Sequence, residues 1–139
     1  MNIIFVCHGN ICRSTMAEFV MKDMVNKLGL EDNYQIISRA TSYEEEGNGI
    51  HYGTRKMLDK YNIPYESHYA TVITKSEYDW ADLVVCMDDN NVRNLKWRVG
   101  REDKTIKLLD RNVADPYYTG NFETTYRDIV EGCKKLLNR

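Results

Sequence analysis

What most constrains this chain is a junction near its start. A five-residue apolar run, Ile3 to Cys7, passes directly into Cys7-His8-Gly9-Asn10-Ile11-Cys12-Arg13-Ser14, and apolar residues then recur at helical spacing (Met16, Phe19, Val20, Met24, Leu28) until Gly29. A short continuous apolar run reads as a strand buried on both faces, and the periodic run after it reads as a helix covering one of them. Strand, tight turn and helix in that order begin a parallel sheet.

The rest of the chain repeats the alternation. Tyr34 to Ser38 reads as a second strand, Thr54 to Tyr61 as a helix stopping before Pro64, and Asp82 to Met87 as a third buried strand. A helix through Val92 and Leu95 follows, then a short strand from Thr105 to Leu109. The last helix starts near Phe122 and carries Tyr126, Ile129, Val130, Cys133 and Leu137 on one face. The expected fold is α/β: one three-layer domain over residues 1–139, with a four-stranded parallel sheet and helices on both faces. Ligands of such sheets bind in the loops at the carboxyl ends of the strands.

Composition narrows the function classes. A net charge of −2 gives no general affinity for nucleic acid or anionic membranes. Five-residue apolar runs are too short to span a bilayer, and no basic-then-apolar leader is visible. Four cysteines (Cys7, Cys12, Cys86, Cys133) in a chain able to build its own core point to a reduced, cytoplasmic setting and to reactive thiols rather than bridges. The pattern argues against a zinc module, because Cys7 and Cys12 lack a second pair and His8, His51 and His68 show no ligand spacing.

The first turn has the residues of an anion site. Five residues between Cys7 and Arg13 let the backbone curl until successive amides converge, backed by a helix N-terminus. Gly9 and Asn10 tolerate the left-handed backbone that such a curl needs. Arg13 can hold two oxygens with its planar fork, and the same positive field favours the thiolate of Cys7. Ser14 can donate to that thiolate or cap the helix; Thr15 with Glu18 is an alternative capping box.

The segment from Val6 to Ser14 resembles the signature of the low-molecular-weight protein tyrosine phosphatases. Asp115-Pro116-Tyr117-Tyr118 is similar to that family's general-acid loop, and Met87 to Asn91 resembles the segment after its third strand. The resemblance implies the flavodoxin-like strand order 2-1-3-4 and an activity without metal or cofactor. Cys7 would be the nucleophile that forms a phosphocysteine, Arg13 the phosphate clamp and Asp115 the general acid and base. The loop from His8 to Ser14 would bind phosphate, with Asn10 and Ser14 shaping it and His68 and Asp88 in support. Tyr117 and Tyr118, with Tyr43, would form the substrate rim. The implied partners are a phosphotyrosine protein or small aryl phosphate, with inorganic phosphate or another oxyanion as product or inhibitor, acting on a monomer or weak dimer.

Two relatives of the same fold are alternatives. Protein-arginine phosphatases carry Thr where this chain has Ile11, whose side chain cannot engage a phosphoramidate. Thiol-dependent arsenate reductases need further cysteines near the site, whereas Cys86 and Cys133 read as core. Cys12 is either a small apolar filler or the partner of Cys7 in a reversible disulfide. Thr15 stands where Pro is usual, Arg39 lies in a segment normally made of small residues, and Glu44-Glu45-Glu46 replaces an aromatic rim position.

Overall fold

The computed structural model describes residues 1–139. Its sheet has four parallel strands: β1 (Asn2–Cys7), β2 (Gln35–Ala40), β3 (Leu83–Cys86) and β4 (Thr105–Lys107), in the spatial order β2-β1-β3-β4. The helices are α1 (Arg13–Lys27), α2 (Tyr52–Lys60), α3 (Lys75–Trp80), α4 (Asp89–Val99), α5 (Pro116–Thr119) and α6 (Phe122–Leu137), with a 3-10 turn at Glu31–Asn33. None of them is long and apolar enough to cross a membrane.

Side chains alternate across a strand, and β1 shows the consequence. Ile3, Phe5 and Cys7 enter one core with Met16 and Val20 of α1 and Ile129 and Cys133 of α6. Ile4 and Val6 enter the other, against Tyr78 of α3 and Leu95 and Val99 of α4. The unbroken apolar sequence of β1 is thus the mark of a central strand covered twice. β1 lies between β2 and β3, in register from Asn2↔Gln35 to Cys7↔Ala40 and from Ile3↔Leu83 to Val6↔Cys86. Cys7 therefore emerges at the carboxyl edge of the sheet, flanked by the loops that leave β2 and β3.

Boundaries differ from the sequence reading where side chains act as local stops. α1 begins at Arg13 with Cys12 at its cap position, ahead of the expected caps Ser14 and Thr15, because the carbonyl of Cys12 already accepts from the Met16 N–H at 3.0 Å. The Thr15–Glu18 capping box is absent: Thr15 Oγ1 donates to the Cys12 carbonyl and Glu18 is buried with other partners. α2 starts two residues early, since His51 caps it by accepting the Gly53 N–H on Nδ1 at 3.0 Å. β2 runs to Ala40 instead of ending at Ser38, while β3 and β4 are shorter than Asp82–Met87 and Thr105–Leu109.

Two short helices escape a reading by periodicity. In α3 only Tyr78 is buried, yet its start carries a capping box between Thr74 and Glu77. α5 is a single turn, capped by Asp115 and opened by Pro116, which suits the first position of a helix. Arg39 also finds its reason here: it reaches out of β2 to pair with Glu77 at 2.8 Å, tying the edge strand to α3.

Candidate active site

The loop between β1 and α1 is held open by what its carbonyls do. The carbonyls of Cys7 and His8 accept the N–H groups of Thr41 and Ser42 (3.0 and 3.1 Å), and that of Ile11 accepts from His51 at 2.9 Å. With its oxygens turned outward, the loop leaves the amides of Gly9, Ile11 and Cys12 without a backbone acceptor, next to the unpaired first turn of α1. These are the elements of an anion nest.

Asn10 fixes the curl. It is fully buried and sits at φ +60°, in the left-handed region. Its Nδ2 donates to Ser14 Oγ at 2.7 Å and to Ser38 Oγ at 3.1 Å. Its Oδ1 accepts from the Thr71 N–H at 3.3 Å and from His68 Nε2 at 2.8 Å, which sets the proton of that imidazole on Nε2. Ser38 in turn donates to Glu18 Oε1 at 2.6 Å, and Lys22 Nζ lies 2.6 Å from Glu18 Oε2. A buried carboxylate costs several kcal/mol unless paired in this way. His68 Nδ1 stands 3.8 Å from Glu18, but burial outweighs that attraction and pushes the imidazole below its ordinary value.

The sulfur of Cys7 is the convergence point. Ser14 Oγ lies 3.0 Å from Sγ, and because its acceptor side is taken by Asn10, its proton is left for a thiolate. The Asn10 N–H donates to the same sulfur at 3.3 Å. Both are contacts that a thiolate at this position can accept. Cys12 differs: burial, with Cys7 and Asp115 adding to it, pushes its thiol up to about 12.

On the opposite flank stands Arg13, 3% exposed. One terminal nitrogen donates to Asp88 Oδ2 at 2.8 Å and to the Val113 carbonyl at 3.0 Å; the other donates to Asp115 Oδ2 at 3.3 Å. Burial opposes its charge, yet Cys7, Asp115 and Asp88 together push its pKa up. Asp88 is itself fixed as the cap of α4, accepting the Asn91 N–H at 2.8 Å. Asp115 caps α5 by accepting the Tyr117 N–H at 3.0 Å.

These groups share one cleft of about 350 Å³, lined by the loop from Cys7 to Arg13 together with Glu44, Glu45, Asp115, Tyr117 and Tyr118. Tyr117 and Tyr118 are exposed and meet edge to face at 5.4 Å. Tyr43 is not part of the lining; its ring turns outward beneath the Arg98 guanidinium at 4.9 Å, and Glu44 and Glu45 take that wall. His68 and Asp88 belong to two separate networks, one through Asn10 and one through Arg13. Sequence reasoning missed Glu18 and Ser38. A carboxylate on the inward face of an otherwise apolar helix was the available signal for Glu18. A larger cavity of about 460 Å³, between α1 and the Pro64–Glu66 segment, contains none of the expected site residues. No group of three or more ligating side chains could hold a metal ion.

A parallel α/β sheet that presents a cysteine, an amide nest and an arginine in one strand-to-helix loop defines an oxyanion-binding, thiol-bearing class of protein. The model of the family described as "Low molecular weight phosphotyrosine protein phosphatase" matches residues 2–139, and the chain belongs to that family. It is 35% identical to the low molecular weight protein-tyrosine-phosphatase YfkJ of Bacillus subtilis, over 98% of this chain and 93% of that protein. It is 36% identical to the human low molecular weight phosphotyrosine protein phosphatase, over 99% and 94%. Among solved structures, that of Bacillus subtilis YfkJ superimposes with a TM-score of 0.95, covering 99% of this chain and 92% of that one. The Streptococcus pyogenes low molecular weight protein tyrosine phosphatase, 42% identical, gives 0.93 over 99% and 91%.

Proposed function

We propose that the chain hydrolyses phosphotyrosine and small aryl phosphates through a phosphocysteine. The observation that carries this reading is the meeting of Cys7, Arg13 and Asp115 in one cleft, with Ser14 and the Asn10 amide both directed at the Cys7 sulfur.

The Cys7 thiolate attacks phosphorus in line with the phenolic oxygen; the S–P bond forms as the P–O bond breaks. Asp115, in its acid form, gives its proton to the departing phenolate, which is otherwise a poor leaving group. The loop amides and Arg13 bind the equatorial oxygens, where charge develops. In the second step the Asp115 carboxylate takes a proton from water as that water attacks phosphorus. The S–P bond breaks, inorganic phosphate leaves and the Cys7 thiolate returns. No cofactor enters the cycle. Before substrate binds, Asp115 lies on Arg13. The incoming phosphate competes for that guanidinium and frees the carboxyl for proton transfer.

Burial pushes the Cys86 thiol up to about 12 and raises that of Cys133 as well, which weighs against a thiol relay to arsenate. Ile11, in the cleft lining, offers no hydroxyl to a phosphoramidate. The test is side-by-side turnover of phosphotyrosine, phosphoserine, phosphoarginine and arsenate with a chelator present. Phosphotyrosine should dominate; a preference for phosphoarginine or arsenate overturns the reading.

A further inference from the structure

The two walls of the cleft differ in chemistry. β2 and β4 are the edge strands, at opposite ends of the sheet, so the loops that follow them reach the cleft from opposite sides. The β4 side brings Asp115, Tyr117 and Tyr118, and the β2 side brings Glu44 and Glu45. Glu44 has a side chain 71% exposed, and its Oε2 lies 2.6 Å from His8 Nε2. Glu45 packs on the loop itself. Its Cγ stands 3.1 Å from the point a β-carbon on Gly9 would occupy, an approach that a side chain at Gly9 would crowd.

The acidic segment is also pinned. The Gly47 N–H donates to the Ala70 carbonyl and the Ala70 N–H to the Asn48 carbonyl, at 2.9 and 2.8 Å. Arg98 Nε donates to the Thr41 carbonyl at 2.8 Å while its guanidinium covers Tyr43. The backbone that carries both glutamates is therefore fixed at the mouth of the cleft, where Glu45 Oε2 accepts from Asn48 Nδ2 at 2.7 Å and Glu44 Oε2 lies on His8. The basic side chains of the lining are already engaged: Arg13 at the floor with Asp88 and Asp115, and the His8 imidazole with Glu44.

We propose that Glu44 and Glu45 set the peptide specificity of this cleft, favouring phosphotyrosine with Lys or Arg within two residues and disfavouring Asp or Glu there. The inference rests on the phosphotyrosine reading above. The substrate's own phosphate is neutralised at the floor by Arg13 and the amides. The glutamates at the mouth thus act mainly on the residues beside it. Each such pair is solvent-exposed and modest, so two carboxylates give about a three- to tenfold difference in kcat/KM between basic and acidic peptides. The difference must shrink with added salt, because exposed charges are screened over about 10 Å at 0.1 M and about 3 Å at 1 M.

The experiment compares three phosphotyrosine peptides that carry Lys, Ala or Glu on both sides of the phosphotyrosine and are otherwise identical. p-Nitrophenyl phosphate is the reference, and low and high salt are tested. The expected order of kcat/KM is Lys, Ala, Glu, compressed at high salt. Within a Glu44→Gln/Glu45→Gln variant the Lys-to-Glu ratio should fall to about one, and a Glu44→Lys/Glu45→Lys variant should invert it. Glu46→Gln, which alters a residue outside the lining, should keep the parent's ratio. Reading a ratio inside each variant removes any general loss of activity from the result. Equal rates on all three peptides, a preference that survives in the double Gln variant, or turnover of p-nitrophenyl phosphate without turnover of any peptide would each overturn the inference. Failure on every peptide and on p-nitrophenyl phosphate would instead overturn the phosphatase reading.

Discussion

The two flanks of the Cys7–Arg13 loop are built from different interactions. On one side Asn10, Ser14, Ser38 and His68 form a chain of mostly neutral hydrogen bonds in which both protons of the Asn10 amide are committed. Arg13, Asp88 and Asp115 on the other side form charge pairs, and the Asp115 contact is the longest of Arg13's three at 3.3 Å. A saturated network has one arrangement and holds shape. A charge pair at the edge of a cleft can exchange one anion for another at little cost. The first flank keeps the nest open, and the second is where an arriving phosphate can change the structure.

The most severe way to separate the flanks is to remove the sulfur at which they meet. Cys7→Ser should lower turnover by at least about 10⁴-fold, since a nucleophile is lost outright. Sulfate or phosphate binding, read by calorimetry, should persist because both flanks remain. Retained turnover would remove Cys7 as the nucleophile.

Next in size is a change on the charged flank alone. Asp115→Asn should slow hydrolysis by about 10²–10⁴-fold for phenolic leaving groups that need a proton, and far less for nitrophenols that do not. A uniform effect across a series of aryl phosphates would show that Asp115 acts on binding rather than on the leaving group.

A change confined to the neutral flank should look different. Asn10→Ala removes the acceptor of His68 Nε2 and the Thr71 N–H as well as the donor to Ser14 and Ser38, and leaves alanine at φ +60°. Destabilisation of about 1–3 kcal/mol is expected from the unpaired groups, visible in urea unfolding. Oxyanion affinity and kcat should fall together, by about tenfold or more, since the nest itself is loosened. Loss of kcat without loss of affinity or stability would place Asn10 on the chemical step instead.

The smallest effect concerns pH. Burial holds the folded His68 below its ordinary 6.5, while the unfolded chain binds a proton there normally. Its contribution to stability is therefore intact above pH 6.5 and is lost as pH falls through the lowered folded value. His68→Gln keeps a donor for Asn10 but removes this titration. Its Tm should drop by about 2 °C less than the parent's between pH 7.5 and 5.5. Identical drops would mean that His68 does not govern the acid limb.

How much of this was legible in the sequence depends on how far apart the interacting residues lie. The strand, turn and helix around Cys7 are dictated locally: the apolar run, Gly9, Asn10 and the helical spacing lie within 28 residues and act through backbone geometry. The four strands and their parallel direction were readable for the same reason, whereas their order came from the family resemblance and not from local spacing. What required the tertiary structure were pairings between distant segments. Arg13 meets Asp88 across 75 residues and Asp115 across 102. Glu18, read locally as part of a helix cap, is drawn instead to Ser38 because β2 runs beside β1 in register. Tyr43 and Glu45 are two residues apart on one turn, yet Arg98 takes the first and the cleft takes the second. Sequence spacing determines which residues share a turn or a face. Only the packing of β2, β3 and β4 around β1 decides which side chain finds a partner there.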